Sequence, residues 1–223
     1  MKVIDLSYEV EEGMPTFPAH WHTNVEITIL GRHFIEGRET RKVCFSTHTG
    51  THIDAPKHFI KNGKGINNIP LNKLVGWAQI IDVSHIKNCL KLEDIKNLIR
   101  KDIKKIIFYF GWSKYWKTER FYKNWPYFSK EIIDYLISEI GIDLIGMDTP
   151  SPDNPNDNKN INHKLLLSNN VVICEYLTNL DKLLNYKTFF VCFLPLKIKN
   201  ADGAPARCIA IVSKEGNVCQ NLP

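Results

Sequence analysis

The chain has 223 residues, of which 43% are hydrophobic and 24% are charged. This balance is typical of a globular protein with a sizeable core, and it excludes a disordered or collagen-like chain. The formal net charge is +5, but the lysines are scattered without a dense basic block, which argues against a nucleic-acid partner. The length favours a single domain over residues 1–223.

The first residues lack the apolar core of a signal peptide, and no apolar run approaches the length that spans a bilayer. Six cysteines are spread widely without a CxxC pair, which predicts six free thiols. These features together predict a reduced, cytoplasmic protein without a membrane partner.

The predicted elements begin with a short strand at 3–6, followed by a proline-held loop at 14–18. Alternation of apolar and polar residues at 25–29 predicts a half-buried strand, and 43–45 predicts a strand that delivers the histidine-rich segment after it. Further strands are predicted at 77–83, 106–110, 142–147, 171–174, 189–194 and 207–212, and helices at 92–99 and 129–140. Strands that alternate with helices favour an α/β layered fold.

Residues 48–58 read HTGTHIDAPKH, so three histidines and one aspartate occupy eleven positions. Imidazole and carboxylate together suit zinc and similar first-row metals. In a straight strand His48 and His52 would lie about 13 Å apart, too far for one ion, and the Thr-Gly-Thr run between them forms helices poorly. We therefore predict a turn at Gly50, because glycine allows backbone angles that other residues avoid. Such a turn can bring His48, His52 and Asp54 together around one ion.

This segment could consist of ordinary surface or core residues, but it resembles, without departure, the HxGTHxDxPxH signature of the metal-dependent cyclase-like hydrolases. That family includes bacterial kynurenine formamidase and isatin hydrolase. The resemblance implies a swivelling β/α/β domain with a mixed central sheet, assembled as a homodimer or tetramer. It also implies that His48, His52 and Asp54 bind metal and that His58 is the catalytic proton-transfer residue.

Two later residues resemble the family's second metal site. His163 opens a predicted short helix, and Glu175 follows the strand predicted at 171–174. The five ligands together imply two divalent ions that share Asp54 as a bridge. Zn²⁺ is the expected metal and Mn²⁺ is the alternative, because nitrogen and oxygen ligands accept both.

Aromatic residues are expected to form an aryl pocket. By resemblance Phe17 matches a substrate-binding aromatic residue, although a plain packing role is the equal alternative. Trp112 and Trp116 follow the strand at 106–110, and the resemblance implies that they form pocket wall. Asp148 follows the strand at 142–147; it could be catalytic, but we expect it to order a loop or to support a neighbouring group.

The resemblance implies a metal-dependent amidohydrolase that acts on C–N bonds other than peptide bonds. The leading hypothesis is an arylformamidase of tryptophan catabolism, which releases formate from N-formyl-L-kynurenine. Cations of such a site activate a water molecule, and an imidazole with a pKa of about 6.5 can carry a proton to the amine leaving group. The alternatives are an isatin-type lactam hydrolase or another cyclase-family hydrolase, and a metal-carrying binding protein without turnover.

Overall fold

A mixed sheet of eight strands forms the centre of the computed structural model, which describes residues 1–213. The strands of this described part are, in chain order, β1 (Lys2–Asp5), β2 (Glu26–Gly31), β3 (Thr40–Cys44), β4 (His52–Asp54), β5 (Val75–Asp82), β6 (Cys89–Leu90), β7 (Lys105–Tyr109), β8 (Tyr127–Phe128), β9 (Leu144–Met147), β10 (Val172–Glu175), β11 (Phe189–Pro195) and β12 (Gly203–Val212). The α-helices of the same part are α1 (His33–Glu36), α2 (Leu71–Leu74), α3 (Leu92–Ile95), α4 (Lys130–Tyr135) and α5 (Ile161–Ser168). Short 3₁₀ turns lie at Pro56–His58, Ile66–Asn68, Ser113–Tyr115, Glu119–Tyr122 and Leu180–Leu183.

The strand order in the central sheet is β1-β12-β11-β5-β7-β9-β10-β4, and β4 pairs in addition with β12. The sheet therefore closes on itself. Strands β5, β7, β9 and β10 run parallel to one another, whereas β4, β11, β12 and β1 pair in antiparallel fashion. The prediction of an α/β fold with a mixed central sheet is confirmed.

Both faces of the central parallel strands are covered. On β7, Ile106 and Phe108 belong to one apolar cluster, which also includes Ile132 of α4 and Leu166 of α5. Ile107 points to the opposite cluster, as expected because successive side chains of a strand alternate between faces. Double coverage explains why these strands are continuous apolar runs in the sequence.

Both predicted helices form, one over its predicted length and one shorter than predicted. The helix predicted at 129–140 is present as α4, continued by a π-helical turn at Leu136–Ile140, and it ends at Gly141 with a φ of 64°. Glycine adopts this left-handed angle without strain. The helix predicted at 92–99 stops at Ile95 because the chain continues as turns, in which the Leu98 N–H donates to the Ile95 carbonyl oxygen.

Strands β2 and β3 form a separate two-stranded sheet, and α1 lies between them in sequence. We call residues 26–44 the arm. The strand predicted at 25–29 forms as β2, and its first half is half-buried, because Val25 is buried and Ile27 is partly buried while Glu26 and Thr28 are exposed. The alternation ends at Ile29, which is 44% exposed. The strand predicted at 43–45 forms as β3 and leads into the histidine motif, and among the described residues it pairs only with β2 of the arm. Alternation in a sequence reports a period of two, and it does not report whether another layer covers the strand.

Within residues 1–213, no helix combines the length and the apolar character that a bilayer crossing requires. Five cysteines in this part, Cys44, Cys89, Cys174, Cys192 and Cys208, are free thiols. The sixth, Cys219, lies outside the described residues.

Candidate metal centre

The predicted turn at Gly50 forms, with a φ of 58°. It brings the rings of His48 and His52 to a centroid distance of 4.9 Å. The same turn fixes the tautomer of His52, because Nδ1 lies 2.7 Å from the Gly50 carbonyl oxygen and can donate a hydrogen bond to it. The remaining nitrogen of His52 is thereby free to act as a ligand.

Asp54, the last residue of β4, is the centre of a buried cluster. Its Oδ1 lies 2.8 Å from Nδ1 of His48 and 3.4 Å from Nε2 of His52, and its Oδ2 lies 3.3 Å from Nε2 of His163. Glu175 stands opposite His52 in the β10–β4 ladder. Its two oxygens lie 3.4 Å from His52 Nε2 and 3.3 Å from His163 Nε2. The structure thus brings the five predicted ligands together.

The carboxylates of Asp153 and Asp202 contact the ring nitrogens of His163 and His48 that face away from Asp54. Nδ1 of His163 lies 2.6 Å from Asp153, whose carboxylate also accepts the backbone N–H groups of Asn162 and His163 at the start of α5. Nε2 of His48 lies 2.9 Å from Oδ2 of Asp202, in the loop before β12. Metal-binding histidines characteristically donate the second ring N–H to a carboxylate or carbonyl oxygen.

The donor set fits a divalent cation. Both Asp54 carboxylate oxygens and Oε1 of Glu175 are buried, and none of them accepts a well-aligned hydrogen bond from the described residues, although histidine nitrogens lie close to them. An ionised carboxylate in that condition is costly unless a positive charge compensates it. Ligand atoms bound at 2.0–2.1 Å to one tetrahedral ion lie about 3.3 Å apart, which matches the spacing of 3.3–3.4 Å around His52 and His163.

The pKa shifts within the cluster also favour a bound cation. Burial lowers the pKa of His52, but the adjacent Asp54 and Glu175 carboxylates raise it more, to about 10. Burial raises the pKa of Asp54, but the charge of His48 and the neighbouring rings bring it well below its usual range. The cluster therefore attracts positive charge, which a proton or a metal cation can supply.

His58 ends the 3₁₀ turn at Pro56–His58 and lies at the edge of the cluster. Its ring is tilted over that of His48 at a centroid distance of 3.9 Å, and its Nδ1 lies 3.3 Å from Oδ2 of Asp202. The side chain is 25% exposed, whereas the side chain of Asp54 is almost fully buried. His48, Asp54 and His58 also form a group close enough to hold an ion. This position is compatible with proton transfer and with ligation.

A pocket of about 180 Å³ opens from the cluster to the surface. Phe17 lies in its wall, with its ring 6.3 Å from that of Trp125. The other aromatic wall residues are Trp21, Phe59, Trp125 and Tyr176.

The prediction that Trp112 and Trp116 form pocket wall is wrong. Neither residue lines the pocket among the described residues. The buried Trp112 donates from Nε1 to the Phe121 carbonyl oxygen at 2.9 Å, and Trp116 stacks on Tyr8 at 4.2 Å. Proximity to a strand end does not determine which side of a loop faces the cavity.

Asp148 orders the loop that follows β7, as expected. Its carboxylate accepts backbone N–H groups from Phe110, Trp112 and Ser113 at 2.6–3.1 Å. Burial raises the pKa of Asp148 to about 6, although these three donors lower it. Among the described residues Asp148 forms no hydrogen bond or ion pair with the histidine cluster, and its contacts hold the loop after β7.

Sequence reasoning missed the roles of Asp153 and Asp202. A metal-binding histidine needs a partner for its second nitrogen, so such carboxylates were to be expected, but the sequence does not show which ones reach the rings. Residues 152–162 are polar and rich in Asn, Asp and Pro, a composition that predicts a surface loop. Within this segment, Asn154 and Asp157 line the pocket.

Known proteins resemble this chain in family pattern, in sequence and in fold. The Cyclase family model, described as "Putative cyclase", matches residues 4–154. A kynurenine formamidase of Bacillus cereus is 31% identical over 206 residues, which cover 92% of this chain and 95% of that protein. Isatin hydrolase A from Labrenzia aggregata, solved with benzyl benzoate bound, superposes with a TM-score of 0.84 at 25% identity, covering 96% of this chain and 94% of that one. A predicted metal-dependent hydrolase from Bacillus stearothermophilus gives a TM-score of 0.71 at 27% identity, covering 94% and 97%.

Proposed function

The chain belongs to the Cyclase family, and on that premise we propose that it is a metal-dependent amidohydrolase of the arylformamidase type. Its proposed substrate is N-formyl-L-kynurenine, which it cleaves to formate and kynurenine. The observation that supports this function is the convergence of five ligand side chains at the inner end of an aromatic pocket. The kynurenine formamidases among its relatives support the choice of substrate.

The proposed site holds two divalent ions, Zn²⁺ with Mn²⁺ as the alternative. His48, His52 and Asp54 would hold one ion, and His163 and Glu175 would hold the second and share Asp54. Support comes from Asp54, whose two oxygens face different histidines. Ions bound there would supply Lewis acidity and an activated water molecule.

Side chains of the pocket are assigned two further roles, which are substrate binding and proton transfer. The aromatic wall, with Phe17, receives the aryl ring of the substrate and orients its amide towards the cluster. Hydrolysis breaks the amide C–N bond and adds the water oxygen to the carbonyl carbon, and the aniline nitrogen must take up a proton to leave. His58 is assigned this proton transfer, because its ring is accessible from the pocket and borders the cluster.

An isatin-type lactam hydrolase is the second candidate, and the likeness to isatin hydrolase A favours it. Both reactions cleave the amide C–N bond of an N-aryl amide, but only the formamidase reaction releases formate. The two candidates therefore differ in their products and in the shape of the substrate.

A substrate panel tests these functions. Metal-reconstituted protein is incubated with N-formyl-L-kynurenine, formanilide and isatin, and formate and ring-opened product are measured. We expect metal-dependent release of formate, fastest from N-formyl-L-kynurenine, and none from chelator-treated protein. Ring opening of isatin without formate release from the other two would favour the second candidate. Bound metal without any turnover would indicate a metal-carrying binding protein.

The proposal includes a homo-oligomer, dimer or tetramer, that is assembled through the arm. The exposed apolar residues of the arm are Ile29, Leu30, Phe34, Ile35 and Val43. A two-stranded hairpin is at best marginally stable alone in water, so a covering surface on a second copy would stabilise it. Sedimentation velocity should show an oligomer that Phe34→Ser weakens and Leu98→Ser, at an exposed site outside the arm, does not. A monomeric wild-type protein would contradict this assembly.

We also propose a cytoplasmic, single-domain protein over residues 1–223, with a small-molecule substrate and neither nucleic acid nor membrane as a partner. The free state of the five described cysteines supports a reducing compartment. Thiol titration of the denatured, unreduced protein should count all six cysteines of the sequence. A disulfide between any pair would contradict the proposal.

A further inference from the structure

We infer that Asp202 is a positioning residue that orients two histidines of the site through one carboxylate oxygen. This inference rests on the proposed function, in which His58 transfers a proton. Oδ2 of Asp202 lies 2.9 Å from Nε2 of His48 and 3.3 Å from Nδ1 of His58. The other oxygen, Oδ1, accepts a hydrogen bond from the Thr47 hydroxyl at 2.9 Å, which fixes the rotation of the carboxylate.

The backbone around Asp202 is built to receive the ring of His48. The Asp202 carbonyl oxygen accepts the N–H of Ala55 at 2.9 Å, so the loop is tied to the end of β4. A Cβ atom at Gly203 would lie 2.7 Å from Cε1 of His48 and 2.9 Å from the Ile53 carbonyl oxygen. Glycine at this position therefore lets the ring lie directly against the backbone, with Nε2 facing Asp202.

The same carboxylate determines which nitrogen of His58 serves the substrate. A neutral imidazole has one N–H and one bare nitrogen. When Nδ1–H of His58 donates to Asp202, Nε2 is left bare to accept a proton and later to return it. Because the rings of His48 and His58 lie only 3.9 Å apart, one carboxylate sets the orientation of both.

Asp153 provides a matched comparison within the same site. It holds a predicted ligand, His163, with a contact of 2.6 Å. His58 contacts Asp202 rather than Asp153 among the described residues. Loss of either carboxylate should weaken metal binding by about 10- to 100-fold. Only loss of Asp202 should also change the orientation and the tautomer of His58.

A double-mutant cycle tests the link to His58. Asp202→Asn, His58→Ala and the double variant are assayed on formanilide, each at saturating metal. We expect Asp202→Asn to lower kcat about 10-fold with KM nearly unchanged, and to have an effect below about twofold in the His58→Ala background. Asp153→Asn should change kcat by the same factor in both backgrounds. Equal losses from Asp202→Asn in the two backgrounds would overturn the inference and leave the proposed function standing.

A second measurement needs no turnover. Nitrogen-15 NMR of the zinc-loaded protein reports which ring nitrogen of His58 carries the proton. The wild type and Asp153→Asn should show the Nδ1–H form, Asp202→Asn should lose it, and Asp202→Glu, which keeps the carboxylate, should retain it. An unchanged tautomer in Asp202→Asn would refute the inference. Inactivity of the wild type on the whole panel would contradict only the proposed function, because the NMR result would still judge Asp202.

Discussion

The inner and outer ends of the pocket are built in different ways. At the inner end, His52, Asp54 and Glu175 lie on paired strands β4 and β10, and all three are buried. At the outer end, Phe17 and Trp21 come from a loop, and Trp21 is 67% exposed. The ladder holds charged side chains to fixed distances, whereas the loop can adapt its shape. The inner end is therefore suited to chemistry and the outer end to substrate selection.

The largest effect is expected from Asp54→Ala at the inner end. The variant removes the carboxylate that faces three histidines, so we expect loss of metal and a loss of activity of more than about 10³-fold. Elemental analysis should find about two equivalents of metal in the wild type. Asp134→Ala, an exposed carboxylate on α4, is the control and should keep both metal and activity. A wild type with one equivalent, retained in Asp54→Ala, would refute the dinuclear site.

His58→Ala should separate proton transfer from metal binding. The five predicted ligands remain, so metal content should be unchanged while turnover of an anilide falls by about 10²–10⁴-fold. The loss should be smaller for an ester with a phenolate leaving group, which departs without a proton. Parallel metal analysis and kinetics of the two substrates check this expectation. An emptied metal site in His58→Ala would make His58 a ligand, and full activity on the anilide would remove its proton-transfer role.

At the outer end, Phe17→Ala should affect binding more than chemistry. Loss of an aromatic wall contact should raise KM for the aryl substrate about 10-fold and leave metal content intact. Trp112→Phe is the contrasting variant. It loses the hydrogen bond to the Phe121 carbonyl oxygen and about 1 kcal/mol of stability, with KM unchanged. A higher KM in Trp112→Phe than in Phe17→Ala would indicate that Trp112, and not Phe17, contacts the substrate.

The smallest effect on catalysis is expected from Asp148→Asn. The amide that replaces the carboxylate cannot accept the three backbone N–H groups equally well, so the free energy of unfolding should fall by about 1–3 kcal/mol. Metal content and KM should stay at wild-type values, because Asp148 holds the loop after β7. Denaturant unfolding and metal analysis measure the two quantities. Loss of metal in a folded Asp148→Asn protein would contradict this role and show that Asp148 belongs to the metal centre.

The aromatic wall and the arm show where prediction from sequence stops. Trp112 and Phe17 are both aromatic residues near predicted loops, yet only Phe17 reaches the pocket. The strand predicted at 25–29 exists as β2, but from Ile29 onwards its apolar side chains are exposed, which the pattern did not predict. In both cases the local pattern is correct, and the error concerns what packs against the residue. Burial depends on elements far away in sequence, and a local pattern does not contain them.

The sequence by itself determined most of the local elements and the set of candidate metal-binding side chains. Gly50 permits the turn, Gly141 ends a helix, and the spacing of His48, His52 and Asp54 brings three donors together within seven residues. These features depend on local backbone angles and short separations. Only the tertiary structure decided that β12 closes the sheet against β4 and carries Asp202 to a ring 154 positions away. Such partners meet through packing of the whole sheet, so no local rule reveals them.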